Sequence, residues 1–154
     1  MIHAIIITGD NMKLDYEKFI EDLRDEQVIY LAASNNDKVI VRTVSPLIYE
    51  NKLYFYTGAN TQKYEYMSEN NNIAFAFDYY QVEGKVEFLG NPMENQNIDL
   101  KNAYIKKYNN AFKEPKEEID KMIFCKINFK NIKKWVFDSE NKELPIGIAE
   151  KVFM

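Results

Sequence analysis

The chain contains 154 residues with 46% hydrophobic and 29% charged side chains, and its formal net charge is −4. These values predict a single globular domain over residues 1–154 that can bury a core without disulfides or a structural metal. The acidic balance argues against general binding to nucleic acid or to an anionic membrane surface, and no apolar run approaches the ~20 residues that a membrane-spanning helix needs.

The N-terminal part of the chain predicts one helix. Residues 1–11 are interpreted as either an edge strand or an N-terminal extension, because their apolar run is too short for a secretory signal and follows no basic region. Residues 15–26 are predicted to form a helix with Asp15 as its N-cap. The apolar residues of this segment recur at helical spacing and are Tyr16, Phe19, Ile20 and Leu23.

Short runs of β-branched and aromatic residues, separated by turn residues, predict strands through the middle of the chain. Asn35-Asn36-Asp37 joins two of them, because Asn and Asp tolerate the left-handed conformations of a tight hairpin. Asn51-Lys52 marks a second turn, and a short helix is predicted near residues 61–69. The strands predicted in this part cover residues 28–34, 38–45, 46–50, 52–57, 73–80 and 82–90.

Beyond residue 90 the pattern changes from strands to helices and back. Helical spacing predicts a helix over residues 98–111 and a further helical turn at 115–121. The apolar face of the longer helix is formed by Leu100, Ala103, Tyr104, Tyr108 and Ala111. Two strands are predicted at 122–130 and 132–138. No secondary structure is predicted for the tail over residues 139–154, and one interpretation is that it crosses to a partner subunit. Together the elements predict a mainly β protein, an antiparallel meander that closes into a small barrel with peripheral helices.

The segment YTGANTQK, residues 56–63, joins an aromatic strand to the predicted short helix and contains the parts of an anion site. A helix start exposes unpaired backbone N–H groups and the positive end of the helix dipole. Thr57 and Thr61 offer hydroxyl donors, Gly58 permits a close backbone approach, and Lys63 adds a positive charge. The alternative is an ordinary capped turn with Thr61 as the N-cap.

Arginine is used sparingly, since the 20 basic residues include only Arg24 and Arg42. Arg24 lies on the polar side of the first predicted helix and is interpreted as a solvated charge. Strand alternation puts Arg42 on the same face as Ile40 and Val44, where a buried or half-buried guanidinium needs a charged partner. An internal carboxylate is one option; a bound phosphate, held together with Lys63, is the other.

The order RTVSPLIYENKLYFYTGANTQKYEYMSENNNIAFAF, followed by QVEGKVEFLG, resembles the pyridoxamine 5'-phosphate oxidase-like FMN-binding split-barrel proteins. The family pattern is an Arg-x-Val strand, a hairpin, a Thr followed by Ser/Thr-x-Lys at a helix start, an Asn-containing turn and a Gly-Lys strand. The match covers roughly residues 15–90, and the ordered set is more specific than any single motif. The resemblance implies an antiparallel six-stranded split β-barrel of the FMN-binding type.

The same resemblance implies a cofactor site and an assembly. The phosphate of FMN would be held by Arg42, Thr61 and Lys63, with Gln62 at a position where a basic residue is common in the family. The family also implies a homodimer with two FMN molecules in clefts between the subunits. The remaining residues that it places near the cofactor are Val44, Ser45, Tyr56 and Thr57 along the ribityl chain and ring, Gln81 towards the ring, and Trp135 as a wall.

One departure from the family narrows the function. Pyridoxamine-phosphate oxidases carry an Arg-x-His pair near the C-terminus, whereas the only histidine here is His3 and no arginine follows Arg42. The chain is therefore predicted not to be such an oxidase and to resemble the short, general-stress-protein-like members. The leading hypothesis is a flavin-dependent oxidoreductase with a small-molecule substrate or electron donor, in which FMN carries the hydride and no catalytic side chain is assigned.

The sequence allows one other class of function and disfavours two more. A non-enzymatic protein that binds or senses a flavin, a deazaflavin or haem is the alternative, and a nucleic-acid-binding barrel is disfavoured by the negative charge. One histidine and one cysteine cannot form a Cys/His metal set, so no metal site is predicted. Cys125 is interpreted as a buried, inert thiol, and a lone cysteine fits a reducing compartment, which predicts a cytoplasmic protein.

Overall fold

A computed structural model describes residues 12–140 and 143–154, so the interpretation of residues 1–11 and of His3 lies outside the described residues. The strands are β1 (Ile29–Asn35), β2 (Lys38–Val44), β3 (Leu47–Tyr49), β4 (Lys52–Gly58), β5 (Asn72–Phe77), β6 (Tyr80–Phe88), β7 (Met122–Phe137) and β8 (Pro145–Val152). They form one antiparallel sheet in the order β2-β1-β5-β6-β7-β4-β3, and β8 pairs with β7.

Helix α1 (Tyr16–Arg24) confirms the first predicted helix. It begins after Asp15, whose carboxylate accepts a hydrogen bond of 3.0 Å from the backbone N–H of Lys18. Its apolar face buries Phe19, Ile20 and Leu23 against the sheet, and each such side chain contributes ~1.5–3 kcal/mol of burial free energy. The helix therefore closes one side of the main core.

Two of the hairpin turns follow the chemistry expected of Asn and Asp. Asn36 and Asp37 join β1 to β2 with φ angles of 48° and 65°, which confirms the first predicted turn. The β3–β4 turn uses Glu50 and Asn51, with φ angles of 51° and 60°, and so lies one residue before the predicted position. Both turns place the following strand in antiparallel register with the preceding one.

The turn between β5 and β6 is earlier than predicted. Asp78 has a φ of 48° and, with Tyr79, reverses the chain between Phe77 and Tyr80. The strand predicted over residues 73–80 therefore ends at Phe77, because a left-handed Asp interrupts it. Tyr80 instead begins β6, where its hydroxyl donates to the Asp22 carboxylate of α1 at 2.7 Å.

Strand β7 is continuous where two strands were predicted. In its pairing with β6, Lys130 is the extra residue, since Glu83 pairs with Asn131 and Gly84 with Phe129. A bulge absorbs this residue without reversing the chain. A Cβ at Gly84 would lie 2.6 Å from the Asn128 carbonyl oxygen, so the close approach at the bulge requires glycine.

The partners of β7 change along its length. Residues 122–127 pair with β4, residues 131–137 pair with β8, and β6 runs beside residues 125–134 on the other edge. The tail for which no structure was predicted thus contributes β8 to the sheet of the same chain. Through β7, the sheet joins the C-terminal strand to the aromatic strand β4.

The prediction of a mainly β, antiparallel split barrel with peripheral helices is confirmed, with two differences. The sheet has eight strands instead of six, because β3 and β8 add to it. No ladder joins β2 to β3 within residues 12–140 and 143–154, so the sheet is open where a closed barrel was expected. The main core lies inside the curved sheet and under α1.

Of the helices after α1, two agree with the predicted ones and one is shorter. Helix α2 (Gln62–Glu69) agrees with the predicted short helix, and α4 (Lys116–Ile119) with the helical turn near 115–121. Helix α3 (Ile98–Lys107) ends before residue 111, because Tyr108 adopts an extended conformation with φ −123° and ψ 97°. None of the helices in the described residues is long and apolar enough to span a bilayer.

A second apolar cluster lies under α3. It is rich in aromatic side chains, and Tyr56 of β4 packs against Tyr104, Phe112 and Phe124 with ring centroids 5.2, 4.9 and 6.4 Å away. Phe112 has a φ of 62°, a conformation that costs an aromatic residue free energy and here turns its ring into the cluster. This cluster holds α3 next to the junction between β2 and β3.

Candidate functional site

The start of α2 lies at the end of β4 and is closed by a threonine cap. Thr61 Oγ1 accepts from the backbone N–H of Tyr64 at 3.2 Å and donates to the Gly58 carbonyl at 2.7 Å, so the interpretation of Thr61 as N-cap is confirmed. The Thr57 hydroxyl lies 3.2 Å from that of Thr61 and is buried. Helix geometry leaves the N–H groups of Gln62 and Lys63 outside the intrahelical ladder, where they can receive an anion.

Arg42 reaches this helix start from β2. Its Nη2 donates to Gln62 Oε1 at 2.8 Å and its Nη1 donates to the Val41 carbonyl at 2.9 Å. The expectation of a buried or half-buried Arg42 is wrong, because β2 is the first strand of the sheet and the guanidinium extends past this edge into solvent. None of the ion pairs found in the described ranges includes Arg42.

Lys63 is the second cation at the start of α2 and is half-buried. Burial is the largest cause and lowers the pKa of Lys63 below its ordinary value. Cys125 has the next largest effect and raises this pKa, and the positive charge of Arg42 lowers it again by the smallest amount. Its ammonium belongs to none of the ion pairs in residues 12–140 and 143–154. A bound anion would therefore relieve an unfavourable charge here.

Cys125 lies beneath Lys63 on β7. Its side chain is fully buried, and burial raises the pKa of the thiol to about 12, while Lys63 acts in the opposite direction. The interpretation of Cys125 as a buried, unreactive thiol agrees with this environment. Cys125 thus contributes packing under the site and no nucleophile.

A cleft of about 200 Å³ continues from Lys63 between the end of β2 and strand β4. It brings together four of the residues predicted to bind the cofactor, namely Val44, Ser45, Tyr56 and Lys63. Thr57 is buried behind it, hydrogen-bonded to the cap of α2. Arg42, Thr61 and Gln62 lie at the outer end of the cleft. Eight of the ten predicted site residues therefore lie close together in the structure.

The cleft also contains residues that the sequence did not identify as functional. Val28, Thr43 and Tyr104 complete its lining. The Tyr104 hydroxyl donates to the Ser45 carbonyl, and burial raises the pKa of this phenol well above its ordinary value. Helical spacing placed Tyr104 on an apolar helix face, which predicts packing and carries no signal for its hydrogen bond to the β2–β3 junction.

Gln81 and Trp135 do not reach this region. Gln81 lies on the outer face of the sheet, in a cleft of about 410 Å³ with Tyr30 and Val41. Trp135 lines a separate cleft of about 470 Å³ with Tyr79 and Phe137. It lies twelve residues along β7 from Ile123, the partner of Thr57, which is about 40 Å of strand at ~3.3 Å per residue.

Solved structures share this fold. One, a provisionally assigned pyridoxamine 5'-phosphate oxidase from Listeria innocua, has a TM-score of 0.60 and 18% identity over 76% of this chain and 94% of that chain. A FAD-binding protein from Mesorhizobium loti has a TM-score of 0.59 and 15% identity over 77% and 92% of the two chains. An F420 reductase has a TM-score of 0.58 and 20% identity over 73% and 94%.

No protein-family model matches the chain, and no curated protein matches it. The structural likeness nonetheless covers almost the whole length of each of these solved chains, so they are proteins of similar size and architecture. The chain therefore has the split-barrel fold of the pyridoxamine 5'-phosphate oxidase-like proteins, as the resemblance in its sequence predicts.

Proposed function

We propose that the chain binds FMN, with the phosphate at the start of α2 between Arg42 and Lys63. The observation that carries this proposal is the pairing of two cations, one of them half-buried, at a helix start where the described residues supply no carboxylate in an ion pair. A phosphate fits the guanidinium, the ammonium and the helix start together, because it accepts two hydrogen bonds from a guanidinium, pairs with an ammonium and binds free N–H groups. Thr61 and Gln62 orient these groups.

The rest of the cofactor extends along the cleft from Lys63 past Val44, Ser45 and Tyr56. A cleft of about 200 Å³ is smaller than the roughly 300–1,000 Å³ of typical small-molecule sites, so one chain encloses only part of a flavin. A second subunit would complete the enclosure. Gln81 and Trp135, which lie far from the cations of their own chain, would then belong to the site of the partner.

The surface for this homodimer is the outer face of β1, β2, β5 and β6. Tyr30, Val39 and Val41 are 55%, 69% and 57% exposed, and Ala32, Ala74 and Ala76 extend the same apolar surface. Apolar patches of this kind on a sheet are typical of protein–protein contacts. A symmetric pairing of this face buries the patch on both copies.

The activity that follows is a flavin-dependent oxidoreduction of a small molecule. FMN supplies the hydride and electron chemistry when it is bound, and the chain supplies binding, orientation and exclusion of water. No arginine follows Arg42 in the sequence, so the chain lacks the Arg-x-His pair of pyridoxamine-phosphate oxidases, and its substrate is a different one. A deazaflavin is the second candidate cofactor, favoured by the structural likeness to an F420 reductase.

An absorption spectrum of the purified chain, before and after addition of FMN and desalting, tests the proposal. Retained flavin bands are the expected result. A deazaflavin spectrum would favour the second candidate. A colourless chain that FMN cannot reconstitute, or a haem Soret band, would contradict the proposed function.

A further inference from the structure

The junction between β2 and β3 has carbonyl groups that no neighbouring strand binds. Strand β2 ends at Val44 and β3 begins at Leu47, so Ser45 and Pro46 lie outside both ladders. Pro46 has no N–H group, and it confines Ser45 to an extended conformation. Carbonyls that leave a sheet in a partly buried position need other donors.

The C-terminal half of α3 and the residue that follows it supply those donors. Tyr104 donates its hydroxyl to the Ser45 carbonyl, and Tyr108 donates to the Pro46 carbonyl at 2.6 Å. Lys107 donates to the Pro46 carbonyl at 2.8 Å and also to the Glu26 carbonyl, after α1, at 2.5 Å. Tyr104 and Lys107, three residues apart, share one side of the helix, and Tyr108 is the extended residue that follows it.

The brace formed by Tyr104, Lys107 and Tyr108 adjoins the cofactor cleft. Ser45 and Tyr104 themselves line the cleft, whereas Lys107 and Tyr108 lie outside its lining. Tyr104 is 1% exposed, and its ring centroid lies 5.4 Å from that of Tyr108. The two tyrosine side chains are therefore held in place both by packing and by their hydrogen bonds. The position of the Ser45 backbone relative to Lys63 therefore depends on α3.

We propose that this brace is a positioning device for the flavin, in which α3 holds the Ser45–Pro46 backbone in the binding geometry before the cofactor arrives. The inference rests on the proposed function, since the cleft is the one assigned to FMN. Preorganisation increases affinity because the entropy of ordering the backbone is already lost on folding and does not reduce the free energy of binding. Tyr108 acts through Pro46 and Ser45 and is a positioning residue without contact to the cofactor.

The test compares Tyr108→Phe and Tyr104→Phe with Tyr49→Phe in the full chain. The first two remove a hydroxyl that binds the junction, and Tyr49→Phe removes a hydroxyl from the same aromatic cluster. Amide hydrogen exchange of residues 43–47 is measured without flavin, FMN affinity by fluorescence quenching, and global stability by thermal unfolding. Faster exchange and roughly 3- to 10-fold weaker FMN binding are expected for the first two variants only.

The two readouts separate the inference from the function on which it rests. Unchanged exchange at Ser45 and Leu47 in Tyr108→Phe would overturn the brace, whether or not the chain binds flavin. Faster exchange with unchanged FMN affinity would show a structural role only and would overturn the positioning role. Absence of FMN binding by the unmodified chain would contradict the proposed function and, with it, the role of α3 in cofactor binding.

Discussion

Arg42 and Gln62 are joined by a hydrogen bond of 2.8 Å from Nη2 to Oε1, across 20 residues of sequence. Gln62 is the first residue of α2, so its amide fixes the guanidinium over the N-terminus of the helix. We expect Gln62→Ala to weaken FMN binding less than Arg42→Ala does, because it removes only the orientation of the cation. In a double-mutant cycle the two changes should be non-additive. Full additivity of the measured affinities would show that Gln62 does not act through Arg42.

Arg42→Ala should weaken FMN affinity by ~1.5–3 kcal/mol, or about 10- to 150-fold, because a charge-assisted phosphate contact is lost. The matched control is Arg24→Ala, the only other arginine, whose side chain donates to Asn51 Oδ1 of the β3–β4 turn at 3.3 Å. It should bind FMN as the unmodified chain does. Riboflavin, which lacks the phosphate, should bind equally to all three proteins in the same fluorescence assay.

Lys63→Met should weaken FMN binding and stabilise the flavin-free chain. Because burial lowers the pKa of Lys63, the unfolded chain holds this proton more tightly than the folded chain, so the charge costs stability at neutral pH. The cost diminishes as pH rises through the lowered pKa towards the ordinary value of 10.5. The stability gain of Lys63→Met, measured by thermal unfolding, should therefore shrink over that pH range. A variant that is less stable at neutral pH would show that Lys63 already has a favourable partner.

Val41→Glu should convert the proposed homodimer to a monomer, because it puts a charge on the outer face of each copy, and like charges oppose each other across a symmetric interface. Val41 is 57% exposed in the single chain, so the change costs the monomer little. Met93→Glu serves as the control, because Met93 is also an exposed apolar residue but does not belong to the four strands of this face. Light scattering after size exclusion gives the mass. A Val41→Glu protein that keeps the mass of a dimer would show that the interface does not lie on this face.

Glu114→Gln should lower the pKa of Tyr56 while leaving it above the ordinary value. Burial is the larger cause of the raised pKa of Tyr56, and the negative charge of Glu114 adds to it. One carboxylate oxygen of Glu114 is buried and has no hydrogen-bond partner among the described residues. Carbon NMR of the labelled tyrosine follows the titration, with Glu118→Gln as an exposed control. Equal pKa values in both variants would show that the charge of Glu114 does not reach Tyr56.

The elements predicted well from the sequence are those controlled by local rules. Thr61 caps α2 and Asn36-Asp37 turns the first hairpin because a few adjacent residues decide these conformations. Alternation correctly put Arg42 on the face of Val44. It could not show that β2 is an edge strand, which depends on the order of all strands, and so the burial of Arg42 was predicted wrongly.

The features that the sequence did not reveal depend on distant partners. Tyr104 and Tyr108 donate to carbonyls 59 and 62 residues away, and their spacing in the sequence would be the same if they only packed. The continuity of β7 depends on a bulge opposite Gly84, since Lys130 and Asn131 resemble a short turn when the neighbouring strand is unknown. For the candidate site, local motifs identified the start of α2 with Arg42 and Lys63, and tertiary contacts added the support from α3.

The change of partners along β7 gives the two ends of this strand separate ladders on one edge. Strand β8 pairs with residues 131–137 of β7 and, through Glu150, with the segment around Lys13. The ladder with β4, which supports the start of α2, uses residues 122–127 and is untouched by β8. Loss of the β8 ladder would therefore break none of the β4–β7 pairs that support the start of α2. A tag or fused domain after Met154 would be tolerated there far better than an insertion between β4 and α2.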